Sequence, residues 1–114
     1  MSELRVATEF SPYLGGRYRD DGPWSGEQFR EEFLRPRVKC ALADNSVLNI
    51  LFDGVAGMPT SFLEEAFGGL LREMHDVNSD TVRSILKLHA EDPELWPFVK
   101  LAEKFMEQQA ERQH

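Results

Sequence analysis

Apolar positions change period several times along this chain, and each change marks an element. Leu4–Phe10 alternates enough to be a first strand, with Val6 and Ala7 inward, and Ser11-Pro12 ends it. Tyr13–Trp24 reads as a structured loop in which two glycine turns, Gly15-Gly16 and Gly22-Pro23, bracket a basic and aromatic segment able to pair as a hairpin strand. Ser25-Gly26-Glu27-Gln28 has the spacing of a capping box and opens a helix carrying Phe29, Phe33, Leu34, Val38, Ala41 and Leu42 on its inner side. Pro36 lies inside that pattern. A mid-helix proline costs roughly 3 kcal/mol, which predicts a kink or a break near Leu34–Pro36. Asp44-Asn45-Ser46 turns the chain onward.

The run Val47–Asp53 is apolar and rich in strand formers, as expected of a central strand buried on both faces. A glycine-containing connection leads through Pro59-Thr60-Ser61 into a second helix. Ser61-Phe62-Leu63-Glu64 fits a capping box, with the serine oxygen accepting the Glu64 amide and the Glu64 carboxylate reaching back. From there Phe62, Leu63, Ala66, Phe67, Leu70, Leu71 and Met74 recur at helical spacing and define one broad buried face. Gly68-Gly69 interrupts that helix at roughly 1 kcal/mol per residue relative to alanine. Something must offset the cost, either close packing on the sheet or first helix, or a flat partner-docking surface.

His75–Asp80 is a polar loop. Thr81–His89 fits both periods; a strand starting near Arg83 is preferred, because Ala90-Glu91-Asp92-Pro93-Glu94 then supplies a helix start. The last helix is expected to bury Trp96, Val99, Leu101 or Ala102, and Phe105, and to fray over 109–114, before His114. The order is β-(β)-α-β-α-β-α. It predicts a single α/β domain over 1–114, core about 4–108, with a small mixed sheet, helices packed on it and right-handed crossovers.

The length of 114 residues suits one domain with its own core. A formal net charge of −7 disfavours nucleic acid or an anionic membrane as the main partner, because both require clustered positive charge. No leader opens the chain and no apolar run approaches a membrane span, which predicts a cytoplasmic protein. The single cysteine, Cys40, reads as a small buried hydrophobe in a reducing compartment. His75 and His89 have no metal-ligand spacing, and nothing near Cys40 in the sequence activates it as a nucleophile. Glu64 and Glu65 project about 100° apart on a helix, so they do not converge as an acid and base. Glu64 reads as a cap and Glu65 as a solvated or partner-facing charge. These features point away from an enzyme, and no cofactor or metal is expected.

Two places remain for function. Thr60 and Ser61 stand at a helix N-terminus, where a hydroxyl caps the helix or accepts a phosphate. Gly15, Gly16, Arg17 and Arg19 either pair with acidic neighbours such as Asp20 and Asp21, form an anion site, or present an aromatic and basic segment to a protein.

Four blocks carry a resemblance: Gly15-Gly16-Arg17-Tyr18-Arg19, Gly22-Pro23-Trp24-Ser25-Gly26-Glu27-Gln28-Phe29-Arg30, Phe52-Asp53-Gly54-Val55 and Ser61-Phe62-Leu63-Glu64-Glu65-Ala66-Phe67-Gly68-Gly69-Leu70. They resemble the bacterial STAS-like domain family of unknown function, from about Leu4 to the last helix. The resemblance implies a STAS-like α/β fold and a regulatory, protein-binding role. In the related anti-sigma factor antagonists, a strand-end aspartate precedes a helix-start serine or threonine phosphorylated by a histidine-kinase-like ATPase. Laid on this sequence, Asp53 matches the aspartate and Thr60 or Ser61 the switch. Pro59-Thr60-Ser61-Phe62-Leu63 replaces the antagonists' Asp-Ser-Ser-Gly-Leu pattern, and the preceding loop is shorter. A partner surface of Asp53–Glu65 and the neighbouring Arg17–Arg19 loop is the main expectation. The alternative is a nucleotide- or small-anion-sensing domain using the Gly15-Gly16-Arg17 loop and the Thr60/Ser61 helix start. Oligomeric state is left open.

Overall fold

The computed structural model describes residues 2–113, so the expectation for His114 lies outside the described residues. Three strands, β1 (Ser2–Arg5), β2 (Leu48–Leu51) and β3 (Leu86–His89), form a parallel sheet in sequence order. Leu4 is opposite Ile50 and Ile50 opposite Leu88, so these three share a face with Leu48 and Leu86. Both crossovers advance the sheet in one direction. With right-handed connections, that places both helical layers against this one face. The opposite face carries Glu3, Arg5, Lys87 and His89, all exposed, and half-buried Asn49 and Leu51. The central strand is therefore sealed on one side only, which corrects the expectation of burial on both.

The first strand is displaced. It ends at Arg5, and Val6–Phe10 instead coil into a wide helical turn closed by Ser11 N–H donating to Val6 O at 2.9 Å. That turn buries Val6 and Phe10 while leaving Thr8 exposed, whereas a strand would carry all three on one face. Tyr13–Trp24 is a loop with a tight turn at Arg19–Asp21, and the hairpin strand does not form. The sheet is thus wholly parallel, not mixed, while the α/β order of the remaining elements stands.

Helix α1 spans 26–44. Ser25 caps it by accepting from Gln28 N–H at 3.0 Å, while Gln28 Oε1 reaches one residue further back than a capping box requires, to Trp24 N–H at 3.1 Å. Its middle turn, Arg30–Leu34, is widened to an i to i+5 bond from Arg35 N–H to Arg30 O. Pro36 follows in the first turn of the regular segment Arg35–Asp44. The proline's missing donor is absorbed by that wide turn, and the backbone stays helical through it. Asn45 ends α1 in the left-handed region (φ 55°), with Ser46 N–H on Ala41 O at 2.9 Å.

Helix α2 spans 60–73, with a second widened turn at Glu64–Gly68. It is the centre of the core: Phe62, Leu63, Ala66, Phe67, Leu70 and Leu71 are buried. Phe67 lies 6.3 Å from Phe29 and 5.9 Å from Phe52 between ring centres. Helix α3 (Ser79–Ile85) runs over the first residues, 83–85, of the strand expected from near Arg83, because Asn78 accepts from Asp80 and Thr81 N–H groups and nucleates a turn. Only Leu86–His89 is extended.

Asp92 caps the next start by accepting from Glu94 N–H, and α4 (Trp96–Arg112) follows. Helix α4 buries Val99, Ala102, Met106, Gln109 and Ala110. Its packing extends through Ala110, so 109–112 is docked helix rather than a frayed end. Trp96 is 52% exposed and Cys40 is also exposed, two corrections treated below.

Candidate functional site

Thr60 opens α2 directly after Pro59, whose carbonyl accepts from Leu63 N–H at 3.2 Å. Neither Thr60 nor Ser61 accepts a capping hydrogen bond, so the expected Ser61 to Glu64 capping box is absent. The reason is local: α2 already begins at Thr60, so Ser61 lies inside it and the Glu64 N–H goes to the Thr60 and Ser61 carbonyls. The Glu64 carboxylate is engaged elsewhere, gripped by Arg72 in a two-pronged pair at 2.6 and 3.0 Å and reached by Arg17 at 2.5 Å. Thr60 is exposed and Ser61 half-buried, which leaves the Thr60 hydroxyl open to solvent.

Beside Thr60 lies an open groove of about 430 Å³ between the first loop and α4, formed by Tyr13, Leu14, Gly57, Met58, Pro59 and Phe98. The connection 54–59 is anchored to that loop by Ala56 N–H on Pro12 O at 2.8 Å. Tyr13 is 72% exposed at the groove, and the same loop shows Tyr18 at 50% and Trp24 at 41%. Trp24 sits at φ 63°, a conformation rarely adopted by bulky residues, held by Gly15 N–H on its carbonyl at 2.8 Å. Its ring meets Phe10 edge-on at 5.4 Å, and Phe10 leads into Phe29, Phe33 and Phe62.

Behind this face is a charged layer. Arg30, 3% exposed, pairs with the Glu65 carboxylate, donates to Glu65 O at 3.1 Å, and reaches Glu73 at 3.4 Å. Arg17 and Arg72 approach Glu65 at 3.4 and 3.7 Å, and Arg72 also donates to Gln109 on α4 at 2.9 Å. Hydrogen bonds from Arg72 and then Arg17 hold the Glu64 carboxyl down at about 2. Arg30 Nε has no acceptor.

Gly68-Gly69 supplies the space for this layer. A β-carbon on Gly69 would stand 2.7 Å from Arg30 Nη1, and one on Gly68 2.6 Å from Glu64 Oε2. Close packing is therefore the role of the glycine pair, and what it accommodates is guanidinium and carboxylate. Glu65 is buried here, which corrects its expectation as a solvated or partner-facing charge.

Other expected site residues are placed separately. Arg17 and Arg19 do meet acids, but not Asp20 and Asp21: Arg17 goes to Glu64 and Glu65, Arg19 to Glu31 and Glu32. Both guanidinium groups are thus already engaged by carboxylates. Gly15 closes the loop on itself by donating to Trp24 O at 2.8 Å, and Gly16 O joins it to α1 by accepting from Gly26 N–H at 2.9 Å. Asp53 accepts from Glu91 and Asp92 N–H groups at 3.0–3.1 Å, which lowers its pKa and fastens the exit of β2 to the exit of β3. Among the described residues it shares no hydrogen bond with Thr60, Ser61 or the Gly15–Arg19 segment. His89 Nε2 meets Asn49 Oδ1 at 2.8 Å. Among the described residues, no group of three His, Cys, Asp or Glu side chains is placed to hold a metal ion.

The sequence reading missed Arg30, Arg72 and Phe98. Arg30 had a signal, since it falls one residue from Phe29 and four from Leu34 on the apolar stripe of α1, opposite an unexplained glycine pair.

A family model described as a STAS-like domain of unknown function matches residues 25–96, well over half of the chain. The matched span includes Asp53 and the Ser61–Leu70 block but begins after the Gly15–Arg19 block. No curated protein and no solved structure matches the chain. No described helix is long and apolar enough to cross a membrane.

Proposed function

We propose that this chain, which belongs to the family of STAS-like domains of unknown function, is a non-enzymatic module that binds a signalling protein. The docking face in this reading is the groove of Tyr13, Leu14, Pro59 and Phe98. The carrying observation is the pairing of the exposed Tyr13 ring with the half-buried Phe98 ring on an apolar groove at the start of α2. Monomer surfaces normally keep large aromatic rings dispersed, and recognition surfaces concentrate them.

Thr60 gives the face a means of control. A phosphate there adds about 1.5 to 2 negative charges to the groove rim, enough to repel an acidic partner. The partner implied by the family resemblance is a histidine-kinase-like ATPase in a bacterial cytoplasm. The exposed hydroxyl supports Thr60 over Ser61 as the acceptor.

Co-expression with such an ATPase, followed by intact-mass analysis, tests the switch. The expected product is a species heavier by roughly 80 Da, one phosphate, absent in Thr60→Ala. Tyr13→Ala with Phe98→Ala is expected to abolish complex formation while the domain stays folded. An ATPase that binds the double variant as well as the wild type sinks the docking face. Binding without phosphorylation retires the switch and leaves the face.

A further inference from the structure

A second groove runs past the edge strand β3, between the uncovered face of the sheet and the flank of α4. It has a volume of about 540 Å³. Its apolar lining is half-buried Leu51 from the uncovered face, half-buried Leu88 from the opposite face of edge strand β3, and buried Val99 from α4. Trp96 forms one wall. Its indole N–H donates to Ala90 O at 2.8 Å, so a half-exposed ring is held in a fixed orientation.

The rim is acidic. Glu3, Glu91 and Glu103 line the groove against one lysine, Lys100, while His89 is tied to Asn49. Away from the groove, Arg17, Arg19, Arg30, Arg35, Arg37 and Arg72 each engage a glutamate, and Arg83 engages Asp80. At this groove only Glu3 has such a partner, exposed Arg5, and Glu91 and Glu103 have none among the described residues.

We infer that this groove docks a basic, amphipathic segment of a partner protein, whose apolar side chains lie on Leu51, Leu88 and Val99. Its Arg or Lys groups meet Glu91 and Glu103 and stack on Trp96. Each part has a physical counterpart. A rigid aromatic at the edge of an apolar floor is the usual anchor of an interface. A guanidinium over an indole gains cation–π attraction, and two unpaired carboxylates select for positive charge. The same charge argues against a second copy of this chain, because two molecules of net charge −7 would bring like rims together. This site is separate from the Tyr13 and Phe98 face and does not rest on it.

The test uses the whole chain and a synthetic amphipathic helical peptide of Leu, Phe and Arg, with a counterpart carrying Glu for Arg. Calorimetry measures affinity, and a Trp24→Phe background makes Trp96 the sole indole for fluorescence. The basic peptide is expected to bind at least about tenfold more tightly than the acidic one, a difference of about 1.4 kcal/mol. Glu91→Lys with Glu103→Lys, and separately Trp96→Ala, should each weaken it about tenfold or more. The charge-matched control Glu107→Lys with Glu111→Lys, and Tyr13→Ala with Phe98→Ala, should leave it unchanged. Equal binding of the two peptides, no binding up to millimolar concentration, or equal loss in the Glu107/Glu111 control overturns the inference. So does concentration-dependent dimerisation abolished by Trp96→Ala, which would assign the groove to a second copy.

Discussion

Removing either partner of the Arg30–Glu65 pair should be costly, and the two removals should not cost the same. Arg30→Met leaves Glu65 buried, but Arg17 at 3.4 Å and Arg72 at 3.7 Å remain to compensate it. Glu65→Gln leaves Arg30 buried with a neutral amide, the residue 65 carbonyl, half-exposed Glu73 at 3.4 Å and Glu31 at 3.9 Å. It also leaves Arg17 and Arg72 with one remaining carboxylate between them, half-buried Glu64. Breaking a buried ion pair typically costs about 3–5 kcal/mol; Arg30→Met belongs near the lower end and Glu65→Gln near the upper. The double variant Arg30→Met with Glu65→Leu should recover most of the loss, since an apolar pair of similar volume often equals a buried ion pair. Urea unfolding of wild type, Arg30→Met, Glu65→Leu and the double variant gives the double-mutant cycle, read from midpoints at a constant slope, with Glu65→Gln measured beside it. Single variants each within about 1 kcal/mol of wild type, or Arg30→Met costing more than Glu65→Gln, would refute the account of the charged layer.

Four further outcomes follow from the same geometry. Ser25→Ala should cost about 1 kcal/mol or more because its buried hydroxyl is a real cap, while Ser61→Ala should stay within about 0.5 kcal/mol, both by thermal melts. Gly69→Ala should destabilise by about 1–3 kcal/mol despite its better helix propensity, because the methyl meets a buried guanidinium; Gly68→Ala, against the movable end of Glu64, should be nearer neutral. Phe67→Ala should cost about 3–5 kcal/mol by denaturant unfolding. Glu64 has a folded pKa depressed from 4.5 to about 2, so its stabilisation is present above 4.5 and is lost as pH falls toward 2. Stability measured over that window should drop less in Glu64→Gln than in wild type.

Local chemistry was the legible part of this fold. Ser25, Asn45 and Asp92 announce helix boundaries through interactions within a few residues, and the heptad-like apolar spacing of Phe62–Met74 marks the central helix. The failures have more than one cause. Ser61-Phe62-Leu63-Glu64 satisfies a capping pattern, yet the helix begins at Thr60, and the Glu64 carboxylate goes to Arg17 and Arg72 from distant parts of the chain. Cys40 reads as buried by residue type, but its position on α1 turns it outward. Trp96 reads as core by the same argument and stands half-exposed on a groove. The strand expected from near Arg83 begins only at Leu86, because Asn78 starts a helix that runs through Ile85. At the candidate site the Thr60 hydroxyl was identifiable from sequence. Its apolar neighbours were not, because Tyr13, Pro59 and Phe98 come from three separate segments.

The sheet has a further consequence for how the chain is made. Ser2 pairs with Leu48, and Leu48 with Leu86, so neither pairing can form between neighbours in sequence. At about 5–20 residues per second of synthesis, β1 waits several seconds before β2 exists to receive it, and β2 waits again for β3. During that interval each strand exposes unpaired backbone, the condition under which nascent chains associate wrongly. Each edge strand is four residues long, and Glu3, Arg5 and Lys87 place charges on them. The same side chains that leave one sheet face uncovered in the finished protein therefore suit strands that must remain single until their partners arrive.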